Sequence, residues 1–71
     1  MPGSDITITA NGRKVEAALP CTITRLLESQ GLPPRSVVVE LNGEPVTPSE
    51  FDIKLLAAGD RLEIVKIVAG G

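Results

Sequence analysis

No histidine, tryptophan or tyrosine occurs in the chain, and it holds a single phenylalanine, Phe51, and a single cysteine, Cys21. Each shortage removes a class of chemistry. One cysteine makes no internal disulfide, and with no histidine beside it there is no transition-metal ligand set. One aromatic ring provides no stacking platform for bases. Seven basic and nine acidic residues, mixed along the chain to a net charge of −2, form no basic face, so nucleic acid is excluded as a partner. No apolar run approaches the roughly 20 residues of a membrane-spanning helix. The opening "MPGSD" lacks the basic region and apolar stretch of a secretory signal. The expectation is a cytoplasmic protein, monomeric alone, with neither nucleic acid nor membrane as partner.

What is present is aliphatic. Of the 71 residues, 42% are hydrophobic, almost all Ile, Leu, Val and Ala. That is enough for the packed core of one small domain, residues 1–71, and it argues against disorder.

Local signals order the chain. In "DITITANGRKVEAAL", Ile6, Ile8 and Ala10 alternate with threonines, Asn11-Gly12 supplies a two-residue turn, and Val15 and Ala17 resume the alternation. Asn-Gly tolerates the positive φ angles of a type I′ turn, so this is a hairpin. "TITRLLESQGL" is a short helix with both ends marked. Thr22 is placed to cap it, Ile23, Leu26 and Leu27 share a face, and Gly31 suits the left-handed C′ position with Leu32 returning to Leu27. Pro33-Pro34 stops continuation.

"SVVVELNGEPV" predicts a strand over Val37 to Leu41, a second Asn-Gly turn at Asn42-Gly43, and a brief edge strand near Val46, since Pro45 cannot donate to a ladder. "TPSEFDIKLLAAGD" reads as a 3₁₀ turn and loop, with Phe51, Leu55 and Leu56 plugging the core. Gly59-Asp60 leads into a last strand from Arg61 to Val68. The order β-β-α-β, short β, β makes an α+β layer, a mixed sheet of four to five strands with one main helix on one face. The crossover from the second strand through the helix to the third is expected to be right-handed and parallel. The expected core is Ile6, Ile8, Val15, Leu26, Leu27, Val39, Leu41, Phe51, Leu56, Leu62 and Ile64.

The last strand changes phase. In "RLEIVKIV", Leu62 and Ile64 alternate with Arg61 and Glu63, but Val65 and Ile67 then fall on the side of Arg61 and Glu63. Either a bulge re-aims the strand, or Lys66 has run past the core edge and Val65 and Ile67 lie on the open face with Val38. Isolated exposed aliphatics are ordinary; a small apolar contact site formed by Val38, Val65, Ile67 and Val68 beside the tail is the sharper reading.

That tail is "AGG". Gly70 and Gly71 bury nothing and cost entropy to order. They are suited to threading a narrow channel and carrying an ionised carboxylate to another protein's active centre, with Ala69-Gly70-Gly71 a flexible arm. Alone, Gly-Gly is a weak signal. Joined to an apolar last strand and this element order, it is a strong one.

The capped "TITRLLESQGL", the strand and turn "VVVELNGEPV" and the closing "GDRLEIVKIVAGG" together resemble the ThiS family, the sulfur carrier protein of thiamine biosynthesis, and more widely the ubiquitin-like β-grasp carriers. The resemblance covers nearly the whole chain. One departure is Thr47, which separates Val46 from Pro48 where the family often has Val-Pro directly. The resemblance implies a β-grasp fold and no catalysis by the chain itself. It further implies that an ATP-dependent activating enzyme adenylates the Gly71 carboxylate, that a sulfurtransferase system converts the acyl adenylate to a thiocarboxylate, and that a thiazole synthase takes the sulfur. No cofactor is held tightly, and the ATP belongs to the partner. The molybdopterin synthase small subunit shares fold and tail, but its members are usually longer, with a Phe-Pro-Pro-like approach where Lys66-Ile67-Val68 stands here. Another sulfur carrier, a ubiquitin-like modifier, or a binding module with an idle tail are the remaining alternatives. Cys21, just before the helix, suits either a persulfide relay or, more commonly, a small buried hydrophobe.

Overall fold

The computed structural model describes residues 6–67. The hairpin forms as its turn chemistry requires. β1 (Thr7–Ala10) pairs antiparallel with β2 (Arg13–Glu16) with Ile8 opposite Val15, and Asn11 and Gly12 take φ angles of 52° and 80° between them. A two-residue strand, β3 (Cys21–Thr22), leads into the seven-residue helix α1 (Ile23–Ser29). Thr22 Oγ1 accepts a hydrogen bond from the Arg25 amide at 3.2 Å, which satisfies one orphan donor of the first turn.

At the other end of α1, the Gly31 amide donates to Glu28 O at 3.0 Å and the Leu32 amide to Leu27 O at 2.8 Å, with Gly31 at φ 72°. This is the paired bonding of a Schellman cap, which needs a left-handed residue at Gly31.

β4 (Val37–Leu41) turns at Asn42-Gly43 into the edge strand β5 (Glu44–Val46). A 3₁₀ turn over Pro48–Glu50 follows. Thr47 is its N-cap: it forms a capping box with Glu50, whose Oε1 accepts from the Thr47 amide at 3.3 Å. β6 (Leu55–Leu56) and β7 (Arg61–Lys66) complete the chain order.

Five strands form the main sheet in the order β2-β1-β7-β4-β5, and β3 pairs with β6 in a separate two-stranded ribbon. β7 lies in the middle, parallel to β1 and antiparallel to β4. It follows that β2 and β4 run in the same direction, with β1 and β7 between them. The helix covers one face. Ile8, Ile23, Leu26, Leu27, Val37, Val39, Val46, Phe51, Leu56, Leu62 and Ile64 form one buried cluster, with Val15 and Leu41 half-buried against it.

Two expected core positions differ. Leu55 is 60% exposed, because it neighbours the fully buried Leu56 in a strand and so points to the opposite side. Pairing of Thr22 with Leu55 and Cys21 with Leu56 creates that strand where a loop was expected. Ile6 is 40% exposed because it precedes β1 and lies beyond the edge of the packed layer. The last strand ends at Lys66, and Val68, which was expected to finish it, lies outside the described residues.

Candidate functional site

The register of β4 against β7 resolves the phase change. Val37 lies opposite Lys66, Val38 opposite Val65, Val39 opposite Ile64, Glu40 opposite Glu63 and Leu41 opposite Leu62, one residue to one throughout. No bulge interrupts the pairing. Val39, Ile64 and Leu62 are buried beneath the helix layer, while Lys66 is exposed opposite the buried Val37. Lys66 has therefore passed the core edge, and the intervening residues of both strands face away from the helix.

On that open face Val38 and Val65 are a directly opposed pair, 50% and 61% exposed. Ile67 is 53% exposed, and its amide donates to Ser36 O at 2.8 Å, which continues the β4 edge past the end of β7. The structure thus brings Val38, Val65 and Ile67 to one side of two adjacent strands. The other predicted site residues, Val68, Ala69, Gly70 and Gly71, lie outside the described residues.

Two further side chains belong to this face and were not singled out from the sequence. Glu40 and Glu63 oppose each other one step along the same face from the Val38–Val65 pair. Alternation assigns each glutamate to the open side, but only the register shows that they meet.

Cys21 sits at the start of the ribbon opposite Leu56, half-buried. Burial pushes its thiol pKa up, and the nearby Arg25 guanidinium opposes that shift without cancelling it. The resulting preference for the neutral thiol suits a packing residue better than a resting thiolate. Among the described residues no group of three or more His, Cys, Asp or Glu is placed to hold a metal ion, and no helix is long and apolar enough to cross a membrane.

Comparison with known proteins agrees with this geometry. The model of the ThiS family matches residues 2–71. No curated protein matches the chain. Among solved structures, the chain is similar to a crystal structure of a thiamine biosynthesis protein (ThiS) from Geobacter metallireducens, with a TM-score of 0.78 and 29% identity over 92% of this chain and 99% of that one. It is also similar to a solution NMR structure of a thiamine biosynthesis protein from the same organism, with a TM-score of 0.75 and 32% identity over 92% of this chain and 87% of the other.

Proposed function

Since the chain belongs to the ThiS family, the sulfur carriers of thiamine biosynthesis, we propose that it works as a protein co-substrate whose Gly71 carboxylate is the acyl group that carries sulfur. A carboxylate oxygen of Gly71 attacks the α-phosphorus of ATP in the active site of an activating enzyme, and pyrophosphate leaves. A sulfurtransferase persulfide then attacks the acyl carbon and displaces AMP. A second thiol reduces the resulting acyl disulfide, which releases the thiocarboxylate and leaves a disulfide on the donor, and a thiazole synthase takes that sulfur. The reading sets the chain in the cytoplasm. ATP and its metal belong to the activating enzyme.

The observation that carries this reading is the extent of the family match, which runs over residues 2–71 and so includes Ala69-Gly70-Gly71. The open-face patch supports it in physical terms. Val65 and Ile67 expose aliphatic surface on the segment that leads into those residues, with Val38 beside them on β4, so a partner that grips this face has Gly71 only a few residues away in the sequence. A carboxylate held by docking elsewhere on its own chain reacts with the advantage of an intramolecular step.

The test is ATP–pyrophosphate exchange by the cognate activating enzyme with the full chain as acceptor. Carrier-dependent exchange, and replacement of one oxygen by sulfur in the intact mass once a sulfurtransferase is added, are the expected results. Absence of exchange with the intact chain overturns the reading.

A further inference from the structure

The open face is not uniformly apolar. Next to the exposed Val38–Val65 pair, β4 and β7 place two carboxylates, Glu40 and Glu63, directly opposite each other. Like charges in a cross-strand pair destabilise a sheet, typically by a few tenths of a kcal/mol to about 1 kcal/mol. Nothing in the packing of the free chain requires this arrangement, because both residues are exposed. Further along the face, Arg61 on β7 and Lys14 on β2 flank Thr9 in one row, so the surface is graded from apolar through acidic to basic along β7. β5 places Pro45 beside Glu40, and the exposed Asn11-Gly12 turn lies on the other side of β7, so the acidic pair has uncharged neighbours across the strands and the basic Arg61 one step along the same face of β7.

Resting on the carrier reading above, we infer that Glu40 and Glu63 form a two-carboxylate receptor for a guanidinium or ammonium group of the activating enzyme, seated beside the Val38–Val65–Ile67 contact. The argument is charge complementarity. Two carboxylates held side by side on paired strands present their oxygens to one cation, and a planar guanidinium satisfies both at once. The neighbouring aliphatic surface gives the contact its apolar centre and excludes water from the ion pairs, which is where such pairs discriminate between partners. The repulsion tolerated in the free chain is relieved when the cation arrives, so docking is favoured over the solitary state. A partner lacking a cation at that point leaves two carboxylates desolvated and is rejected.

The experiment compares the full chain with Glu40→Gln/Glu63→Gln and with Glu63→Lys as acceptors for the cognate activating enzyme. Pyrophosphate exchange is read as a function of carrier concentration at low and high salt, and thermal unfolding of each carrier is followed alongside. The expected result is a KM for the double Gln carrier raised by about tenfold or more at low salt with kcat retained, a larger rise for Glu63→Lys, and a wild-type KM that climbs with salt while that of the double variant changes little. The double variant should unfold at the same temperature as wild type or higher, since a repulsion has been removed. Wild-type exchange with an unchanged KM in both variants overturns the receptor and leaves the carrier reading standing. A lowered unfolding temperature in the double Gln variant overturns it too, because the glutamates would then be stabilising the fold. No exchange with wild type removes the carrier reading and this inference with it.

Discussion

The side chain of Asn11 bonds both backbone groups of Ile64, a residue 53 positions away: its Nδ2 donates to Ile64 O at 3.0 Å, and its Oδ1 accepts from Ile64 N at 2.7 Å. A carboxamide offers one donor and one acceptor in the geometry of a peptide, so Asn11 stands in for the strand residue that β1 no longer supplies once it has turned. Asn42 does related work on the other edge of β7, at its first residue, with its Oδ1 accepting from the Arg61 amide at 2.9 Å and its backbone N–H donating to Arg61 O at 2.7 Å. The two Asn-Gly turns therefore fix the position of the central strand as well as closing their own hairpins.

Replacing Asn11 by glycine keeps a residue that accepts its φ of 52° while deleting the carboxamide. Asn11→Gly should lose about 1–3 kcal/mol of stability through the unpartnered Ile64 groups, measured by urea denaturation. Asn11→Ala should lose more, since it adds left-handed strain to the same loss. Equal stability of the glycine variant and wild type would show that water replaces the amide without cost.

Burial separates two leucines that the sequence treats alike. Leu27 is fully buried in the core cluster, and Leu27→Ala should cost about 2–5 kcal/mol, enough to leave so small a domain largely unfolded on warming. Leu55→Ala, at a site 60% exposed, should cost well under 1 kcal/mol. Comparing their denaturation midpoints checks the register of β6 against β3.

Val65→Ser removes apolar surface from the open face without altering its charge. Stability should fall by no more than about 1 kcal/mol, the span of strand propensities, while the carrier's KM with the activating enzyme rises. Loss of the fold would place Val65 in the core and contradict its exposure.

Deleting Gly71, or appending one residue after it, should leave thermal unfolding unchanged and abolish pyrophosphate exchange. One residue displaces the reacting carboxylate by about 3.5 Å, far outside the tolerance of an in-line attack. Exchange at the wild-type rate from either variant would show that the carboxylate of Gly71 is not the acyl group.

Cys21 should alkylate more slowly than a free thiol at neutral pH, because burial holds its pKa up and only the thiolate reacts. Its reactivity should rise as the pH is taken above the ordinary thiol range. Arg25→Gln should slow it further, since that guanidinium is the group that favours the thiolate. Rapid alkylation at neutral pH would restore the persulfide relay as a reading of this residue.

Short-range chemistry was enough to determine much of this protein from its sequence. Asn11-Gly12 and Asn42-Gly43 specify their turns because few other pairs accept two positive φ angles in succession. Thr22 and Gly31 mark the helix because each meets an orphan backbone group within a few residues. The slip of Val65 and Ile67 to the open face was legible because strand alternation has a period of two, and a buried Ile64 fixes where its neighbours must point.

Tertiary structure alone decided the rest. The exposure of Leu55 depends on β3 and β6 finding each other across the loop that Phe51 anchors, whose carbonyl accepts from Thr24 N at 3.1 Å. Thr47 becomes a cap only because Glu50 folds back onto it. The bonds of Asn11 to Ile64 and the meeting of Glu40 with Glu63 join residues far apart in the chain, and nothing local distinguishes these side chains from any other asparagine in a turn or glutamate on a strand. Which exposed groups become neighbours is a matter of strand order and register, set by the burial of Ile8, Val39 and Leu62 on the opposite face.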